Sequence, residues 1–383
     1  MADLAQGLGA RGYSVQVVTG QPGYSSRGRL ASGEVINGVR VHRLPKIQLA
    51  RKNAAGRILS AVSFFAAAFF KLLSMDRQAL LIIGSDPPFL GLLGWFFKIF
   101  RRQPYVLIVS DAYPEIAVAL REISPGGIVT RLLEGTNRLV YPKAEKIVVL
   151  GERMQAKLRE KYFPREDGRK VQIIHNWADG DRIRPLAKSS NPFCRKHDLL
   201  KPLVLLFSGN LGKIYNFRDM LKLASLLRDE PAIRFLLIGG GPLRGFIEEE
   251  AMRRGLKNIH RMAYQPDEEL PFSLTSGDLA FLPLKGEAVG FCVPGKIYPA
   301  LAAGLPLFVM APEESEPARI VLENDCGWVF SEDQCEEAGN LLKEIARDPS
   351  LLDRKKSKAR ACYEAKFQRE KAINAYDQIC SGR

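Results

Sequence analysis

LVLLFSGNLGK (Leu203–Lys213) and IRFLLIGGGPLR (Ile233–Arg244) are apolar runs that end in glycines and pass into segments of helical pattern. A run without polar alternation fits a strand buried on both faces, the kind found in parallel sheets covered by helices. The rhythm recurs downstream in DLAFLPL (Asp278–Leu284) and PLFVMA (Pro306–Ala311). Upstream it recurs in ALLIIG (Ala79–Gly84), YVLIVS (Tyr105–Ser110), KIVVL (Lys146–Leu150) and VQIIH (Val171–His175). At the start, helical spacing of Met1, Leu4 and Leu8 leads through Gly12 into the strand SVQVV (Ser14–Val18). Strands alternating with helices in this way build α/β domains.

A chain of 383 residues exceeds what one hydrophobic core usually serves. NWADGDRIRPLAKSSNPF (Asn176–Phe193) is rich in Asn, Asp, Pro and Ser and has the composition of a linker. The expected division is a first Rossmann-like domain over residues 1–183, a second over 184–365, and a terminal helix over 366–383 that packs back on the first. Open parallel sheets bind ligands outside the carboxyl ends of their strands, so the glycine loops and the cleft between the domains are the expected site.

Composition excludes several classes. Six cysteines, all in the second half and none in a C-x-x-C pair, argue for reduced thiols in a cytosolic protein and against a disulfide framework or structural zinc. Four scattered histidines do not build an imidazole metal site. Of the net charge of +14, residues 1–183 carry +12. Such an excess suits nucleic acid, an anionic membrane or an anionic ligand. Nucleic acid is set aside, because no helix-turn-helix, zinc-finger or RNA-binding aromatic motif is present.

Two Phe- and Leu-rich segments lie in that basic half: RILSAVSFFAAAFFKLL (residues 57–73) and FLGLLGWFFKIFRR (residues 89–102). Neither offers the roughly 20 charge-free apolar residues of a membrane span. Either both are buried helices of the α/β domain, or both sit at a bilayer surface. The basic charge of this half favours the second, in which Trp95 enters the acyl boundary while Lys71, Lys98, Arg101 and Arg102 meet headgroups.

An ordered series of motifs runs through nearly the whole chain. It comprises GQPGY (Gly20–Tyr24), NGVRVHRLP (Asn37–Pro45), SDAYPE (Ser110–Glu115), AEKIVVLGERM (Ala144–Met154) and IIHNWAD (Ile173–Asp179). It continues with FSGNLGK (Phe207–Lys213), LLIGGGPLR (Leu236–Arg244), GDLAFLPL (Gly277–Leu284) and VPGKIYPALAAGLP (Val293–Pro306). The series resembles retaining glycosyltransferases of the GT-B fold, family 4, in the bacterial branch that assembles O-antigen and colanic-acid-type polysaccharides. That resemblance implies two Rossmann-like parallel-sheet domains facing a cleft. It also implies a UDP- or GDP-linked sugar as donor substrate, with no further cofactor and no metal. The acceptor it implies is a glycan or lipid-linked molecule, at the cytoplasmic face of the inner membrane.

Site residues follow from the motifs. Gly209, Asn210 and Gly212 would let backbone amides approach a diphosphate, with Lys213 neutralising the leaving nucleotide. A strand-to-helix turn with a surface lysine is the plain alternative. Gly241 lies in a run that lacks the full G-x-G-x-x-G pattern, so a nicotinamide site is not expected. By resemblance this loop, with Ala263 and Tyr264, holds base and ribose. The resemblance further implies that Val293, Pro294 and Gly295 lie over the donor phosphates and that the following helix aims its amino end there, a setting in which Lys296 would stabilise developing negative charge. Asp111 follows a strand and would either accept a proton from an acceptor hydroxyl or cap the next helix. Asp179-Gly180-Asp181 has the form of a metal-binding Asp-x-Asp but sits where turn chemistry accounts for it.

The sequence departs from the family in two respects. Many members carry two glutamates eight positions apart where this chain has Phe291 and Pro299, with Glu287 either a stand-in or a solvated loop carboxylate. That keeps a non-catalytic binding relative as a rival reading, beside a nucleotide-sugar 2-epimerase of the same fold. Family members also begin with a strand and glycine loop before the helix that here starts at Met1. The first domain is therefore expected to lack its first strand.

Overall fold

The structure is a computed structural model that describes residues 1–21, 30–45, 54–164 and 169–382. Pro22–Tyr24 of the GQPGY motif lie outside the described residues. In the first half the elements are α1 (Ala2–Ala10), β1 (Gln16–Gly20), β2 (Gly33–Ile36), β3 (Val39–Leu44), α2 (Ala54–Leu73), β4 (Leu81–Gly84) and α3 (Gly91–Arg101). They are followed by β5 (Tyr105–Val109), α4 (Glu115–Ala119), α5 (Ile128–Val140), β6 (Lys146–Val149), α6 (Glu152–Tyr162) and β7 (Val171–Ile173).

β4 to β7 form a parallel sheet in chain order, with Leu81 beside Tyr105, Val106 beside Lys146 and Ile147 beside Val171. β5 is buried along its whole length, as its unbroken apolar run requires. β1, β2 and β3 make a separate sheet in the order β1-β3-β2. β2 and β3 are antiparallel about Asn37 (φ 48°) and Gly38 (φ 80°), the two positive-φ residues a tight hairpin of right-handed twist needs. The first half thus holds two sheets, and among the described residues no strand joins β1 to β4.

The second half runs α7 (Pro192–Lys196), β8 (Leu203–Ser208), α8 (Phe217–Leu226), β9 (Ile233–Ile238), α9 (Arg244–Arg253), β10 (Ile259–Met262), α10 (Leu270–Leu274) and β11 (Leu279–Pro283). Then come α11 (Ile297–Ala302), β12 (Leu307–Met310), α12 (Glu316–Asn324), β13 (Gly327–Phe330), α13 (Cys335–Arg347), α14 (Asp353–Cys362) and α15 (Arg369–Ser381). All six strands are parallel, in the order β10-β9-β8-β11-β12-β13. The chain moves outward from β8, then returns to β11 and proceeds the other way. This reversal makes the carboxyl ends of β8 and β11 the switch point where a doubly wound sheet opens a ligand crevice. Leu205, Phe207, Phe235 and Phe281 are fully buried there, and each contributes about 1.5–3 kcal/mol by leaving water.

After α14 the helix loosens into a π-helical turn, Tyr363–Phe367, and the chain crosses to the first half. α15 lies against α1, and Ala372 and Tyr376 share a hydrophobic cluster with Leu4, Leu8, Val106, Ile108 and Val148. The Tyr13 hydroxyl and Asp377 lie 2.7 Å apart, and the Trp177 indole N–H donates to Asp3 over 3.0 Å.

The Phe-rich segments are α2 and α3. Phe69 packs its ring on Phe96 (4.9 Å) and Phe97 (5.6 Å), which buries the facing sides of the two helices. Their other sides remain open: Ile58, Leu59, Val62, Phe70 and Leu73 on α2 and Ile99 and Phe100 on α3 are exposed. Two of the expected headgroup contacts are otherwise engaged. Lys98 forms an ion pair with Glu145, and the Arg101 guanidinium donates to the Leu72 and Leu73 carbonyls. Among the described residues no helix is long and apolar enough to cross a membrane.

Candidate functional site

At the switch point the loops after β8 and β9 press together. Leu211 N–H donates to the Gly240 carbonyl (2.7 Å) and Gly209 N–H to Ile238 (2.8 Å). Gly209, Gly239 and Gly241 adopt φ of +120°, +140° and +146°. A Cβ on Gly239 would fall 2.1 Å from the Gly209 carbonyl oxygen, and one on Gly241 would fall 2.4 Å from Asn210 Oδ1. Contact between the loops therefore already demands these glycines. Tyr264 lies exposed over the second loop, its hydroxyl 3.4 Å from the Gly240 carbonyl.

Val293, Pro294 and Gly295 lead to Lys296, which turns inward to this pair of loops. Its ammonium stands 4.2 Å from the Phe207 ring centroid and 4.7 Å from that of Tyr215, and donates to the Asn210 carbonyl over 3.3 Å. The bare Gly209 makes room for it, since a Cβ there would lie 2.9 Å from Nζ. Burial lowers the Lys296 pKa to about 8. Aromatic faces attract a cation without neutralising it, so a net positive charge is presented at the crevice. The following helix α11 spans only six residues, and the charge here belongs to Lys296 more than to a helix dipole.

The first domain meets this loop at its own strand ends. β4 and β5 each end in a Ser-Asp pair, Ser85-Asp86 and Ser110-Asp111, and the Ser110 amide donates to Ser85 Oγ (3.1 Å). Ala112 N–H donates to the Phe291 carbonyl (2.7 Å), and Asp111 forms an antiparallel bridge with Cys292. Asp111 keeps an open side to solvent. Even so, desolvation by the surrounding cleft, and secondarily the charge of Asp86, raise its pKa above the usual carboxylate range. Burial, then Asp111, pushes the Cys292 thiol up to about 12, so that thiol stays neutral. A cation on one domain thus shares a cleft with two carboxylates on the other.

Two family profiles match the chain: "Glycosyl transferase 4-like domain" over residues 1–177 and "Glycosyl transferases group 1" over residues 193–362. The chain belongs to the GT4-type glycosyltransferases. A relative described as a probable glycosyltransferase, WbjE of Pseudomonas aeruginosa, is 29% identical over 279 residues, covering 71% of this chain and 68% of WbjE. Among solved structures, WaaG, a glycosyltransferase involved in lipopolysaccharide biosynthesis, superposes with a TM-score of 0.69 at 19% identity, covering 100% of this chain and 95% of WaaG. Anabaena HepE in complex with UDP-glucose superposes with a TM-score of 0.68 at 13% identity, covering 91% and 87%. At these identities the superpositions establish the GT-B fold.

Within this glycosyltransferase the residues singled out from sequence fall into two groups. Asp111, Gly209, Asn210, Gly241, Tyr264, Val293, Pro294, Gly295 and Lys296 come together around the crevice. Lys213 stands apart from the aromatic pocket, exposed and paired with Glu122 of the first domain at 2.8 Å. Gly212 is buried and has the Asn210 amide 3.3 Å from its would-be Cβ. Asp111 does not cap α4, whose N-cap is Pro114 with no side-chain bond. Glu287 is exposed. Asp179 accepts the Asp181 and Arg182 amides at 3.1 Å each, which makes Asp179-Gly180-Asp181 an Asx turn. Sequence reasoning passed over Asp86, Phe207 and Tyr215. The repeated Ser-Asp after two neighbouring strands was a signal that could have found Asp86.

Proposed function

We propose that this glycosyltransferase moves a sugar from a UDP- or GDP-linked donor to a hydroxyl of a glycan or lipid-linked acceptor in cell-surface polysaccharide synthesis. The observation that carries the reading is the Lys296 ammonium held at the switch point by the Phe207 and Tyr215 rings and the Asn210 carbonyl, with no carboxylate paired to it among the described residues. The donor diphosphate sits against the loops of Gly209–Lys213 and Gly239–Gly241 beneath Val293–Lys296, and Tyr264 borders the base. As the bond from anomeric carbon to phosphate oxygen breaks, negative charge grows on the diphosphate and Lys296 stabilises it. Lys213 joins by exchanging its exposed pair with Glu122 for the phosphate, a small loss because such surface pairs contribute little. Asp111, with its raised pKa, receives or hydrogen-bonds the acceptor proton. Retention of configuration and a metal-independent mechanism are carried over from the family resemblance. HepE's complex with UDP-glucose and WaaG's part in lipopolysaccharide synthesis support the donor and the pathway class.

The test is transfer from a panel of radiolabelled UDP- and GDP-sugars to a membrane-lipid extract. Transfer is expected from one donor class and is expected to persist in excess EDTA. Loss with EDTA and recovery with magnesium or manganese would replace the metal-free mechanism. Sugar isomerised on the nucleotide, with no transfer, would replace the reaction itself.

Attachment to the membrane belongs to the same proposal. α3 and α5 pack together, and α5 adds exposed Ile128, Val129 and Leu132 to the apolar residues left open on α2 and α3. Exposed Arg102, Arg131 and Arg138 lie on the same helices or at their ends. Exposed apolar side chains and exposed arginines on these helices are the residue types that an anionic bilayer takes up. The protein is expected to float with anionic vesicles and not with neutral ones, and a Phe70→Ser/Phe100→Ser variant is expected to stay behind. Equal recovery of variant and wild type would return these helices to a structural role.

A further inference from the structure

We propose that Lys157, on α6 of the first domain, is a positioning residue that sets the loop over the donor and so makes donor binding depend on contact between the domains. The inference rests on the donor site proposed above. Lys157 reaches across the cleft to three consecutive residues of the second domain. Its ammonium donates to the Val289 carbonyl over 2.7 Å and lies 3.7 Å from the Phe291 ring centroid. Between these, its stem lies on Gly290, where a Cβ would fall 2.8 Å from Lys157 Cδ, 2.9 Å from Cε and 3.0 Å from Arg153 Cγ. Gly290 also has φ +81°, so both its conformation and its bareness admit the lysine.

The opposite side of the same segment is held by the first domain too. Ala112 N–H bonds the Phe291 carbonyl and Asp111 bridges Cys292. Residues 289–292 are thus gripped by α6 and by the loop after β5, and Cys292 leads directly into Val293–Lys296. Within the second domain this segment is held by short turn bonds, Val289 N–H to Gly286 and Phe291 N–H to Ala288. The Phe291 ring receives this cation on its face. Burial and the neighbouring Arg153 lower the Lys157 pKa, and the Val289 carbonyl and the Phe291 ring work against that by favouring the ammonium.

The experiment measures donor KM and kcat together with the dissociation constants of UDP and GDP by calorimetry, in full-length protein. Lys157→Met keeps the stem and removes the charge. It is expected to raise donor KM and the nucleotide dissociation constant about tenfold, as for one lost hydrogen bond to a charged group, with kcat changed far less. Lys157→Arg is expected to restore most of the affinity, a rescue that a space-filling role would not give. Phe291→Leu, which removes only the ring, is expected to move KM in the same direction and serves if Lys157→Met does not fold. Wild-type protein that binds neither UDP nor GDP would overturn the donor site itself. Wild-type KM and nucleotide affinity in folded Lys157→Met would overturn the positioning role alone.

Discussion

Lys296→Ala is expected to lower kcat about a hundredfold, the effect typical of removing one preorganised donor to a developing oxyanion. That corresponds to about 2.7 kcal/mol of transition-state stabilisation. The magnitude follows from its surroundings: the ammonium is fixed against the Phe207 and Tyr215 rings and the Asn210 carbonyl, whereas Lys213 is exposed and must first leave Glu122. Its lowered pKa makes the role testable in wild-type protein. With the free-enzyme value at about 8, the ammonium is charged below that pH and neutral above it. Donor kcat/KM, which reports free enzyme, is therefore expected to fall as pH rises through 8. A bound diphosphate favours the charged form, so kcat at saturating donor is expected to hold to higher pH. Matching profiles for kcat and kcat/KM, or near-wild-type turnover in Lys296→Ala, would remove Lys296 from the mechanism.

Gly239→Ala is expected to be among the most destabilising single-methyl additions in this protein. Its Cβ would overlap the Gly209 carbonyl oxygen at 2.1 Å and carbonyl carbon at 2.9 Å, and both are backbone atoms that cannot rotate away. Its φ of +140° adds a conformation that alanine adopts only under strain. Overpacking and backbone strain together predict a loss of about 3–5 kcal/mol. Calorimetric unfolding is expected to show a Tm lower by about 10 °C or more. Gly245→Ala is the contrast, because that glycine is exposed on α9 with nothing within 4 Å of its would-be Cβ. Alanine there is expected to be neutral or stabilising by up to about 1 kcal/mol. Similar Tm values for the two variants would mean that the loop contact does not constrain the fold.

The second domain was the more legible half. β8, β9, β11 and β12 are buried on both faces, and such strands announce themselves as unbroken apolar runs. β2 and β10 are only four residues long and mix polar with apolar positions, too short a run to establish a period. The residues of the crevice were legible where a motif marks them, as with Gly209 and Lys296. Phe207 and Tyr215 were not, because an aromatic residue at the end of a buried strand or just before an amphipathic helix reads as core, and both are indeed buried. The interdomain contacts of Lys157 and Glu122 were beyond reach of any local pattern. They join residues 132 and 91 positions apart, and only the closed cleft brings them together.

The placement of α15 against α1 bears on the order in which the chain can acquire its structure. Arg11 and Glu370 pair across 359 positions, and Tyr13 and Asp377 across 364. For an open chain, closing so long a loop costs about 5 kcal/mol in entropy. Most of that cost disappears once the intervening second domain is compact, because its folded body brings the two ends of the segment near each other. Domains generally form from the amino end during synthesis, yet here Leu4 and Leu8 find part of their apolar cover only when Ala372 and Tyr376 arrive. The half made first is thus the half completed last, and the second domain acts as the template that closes it.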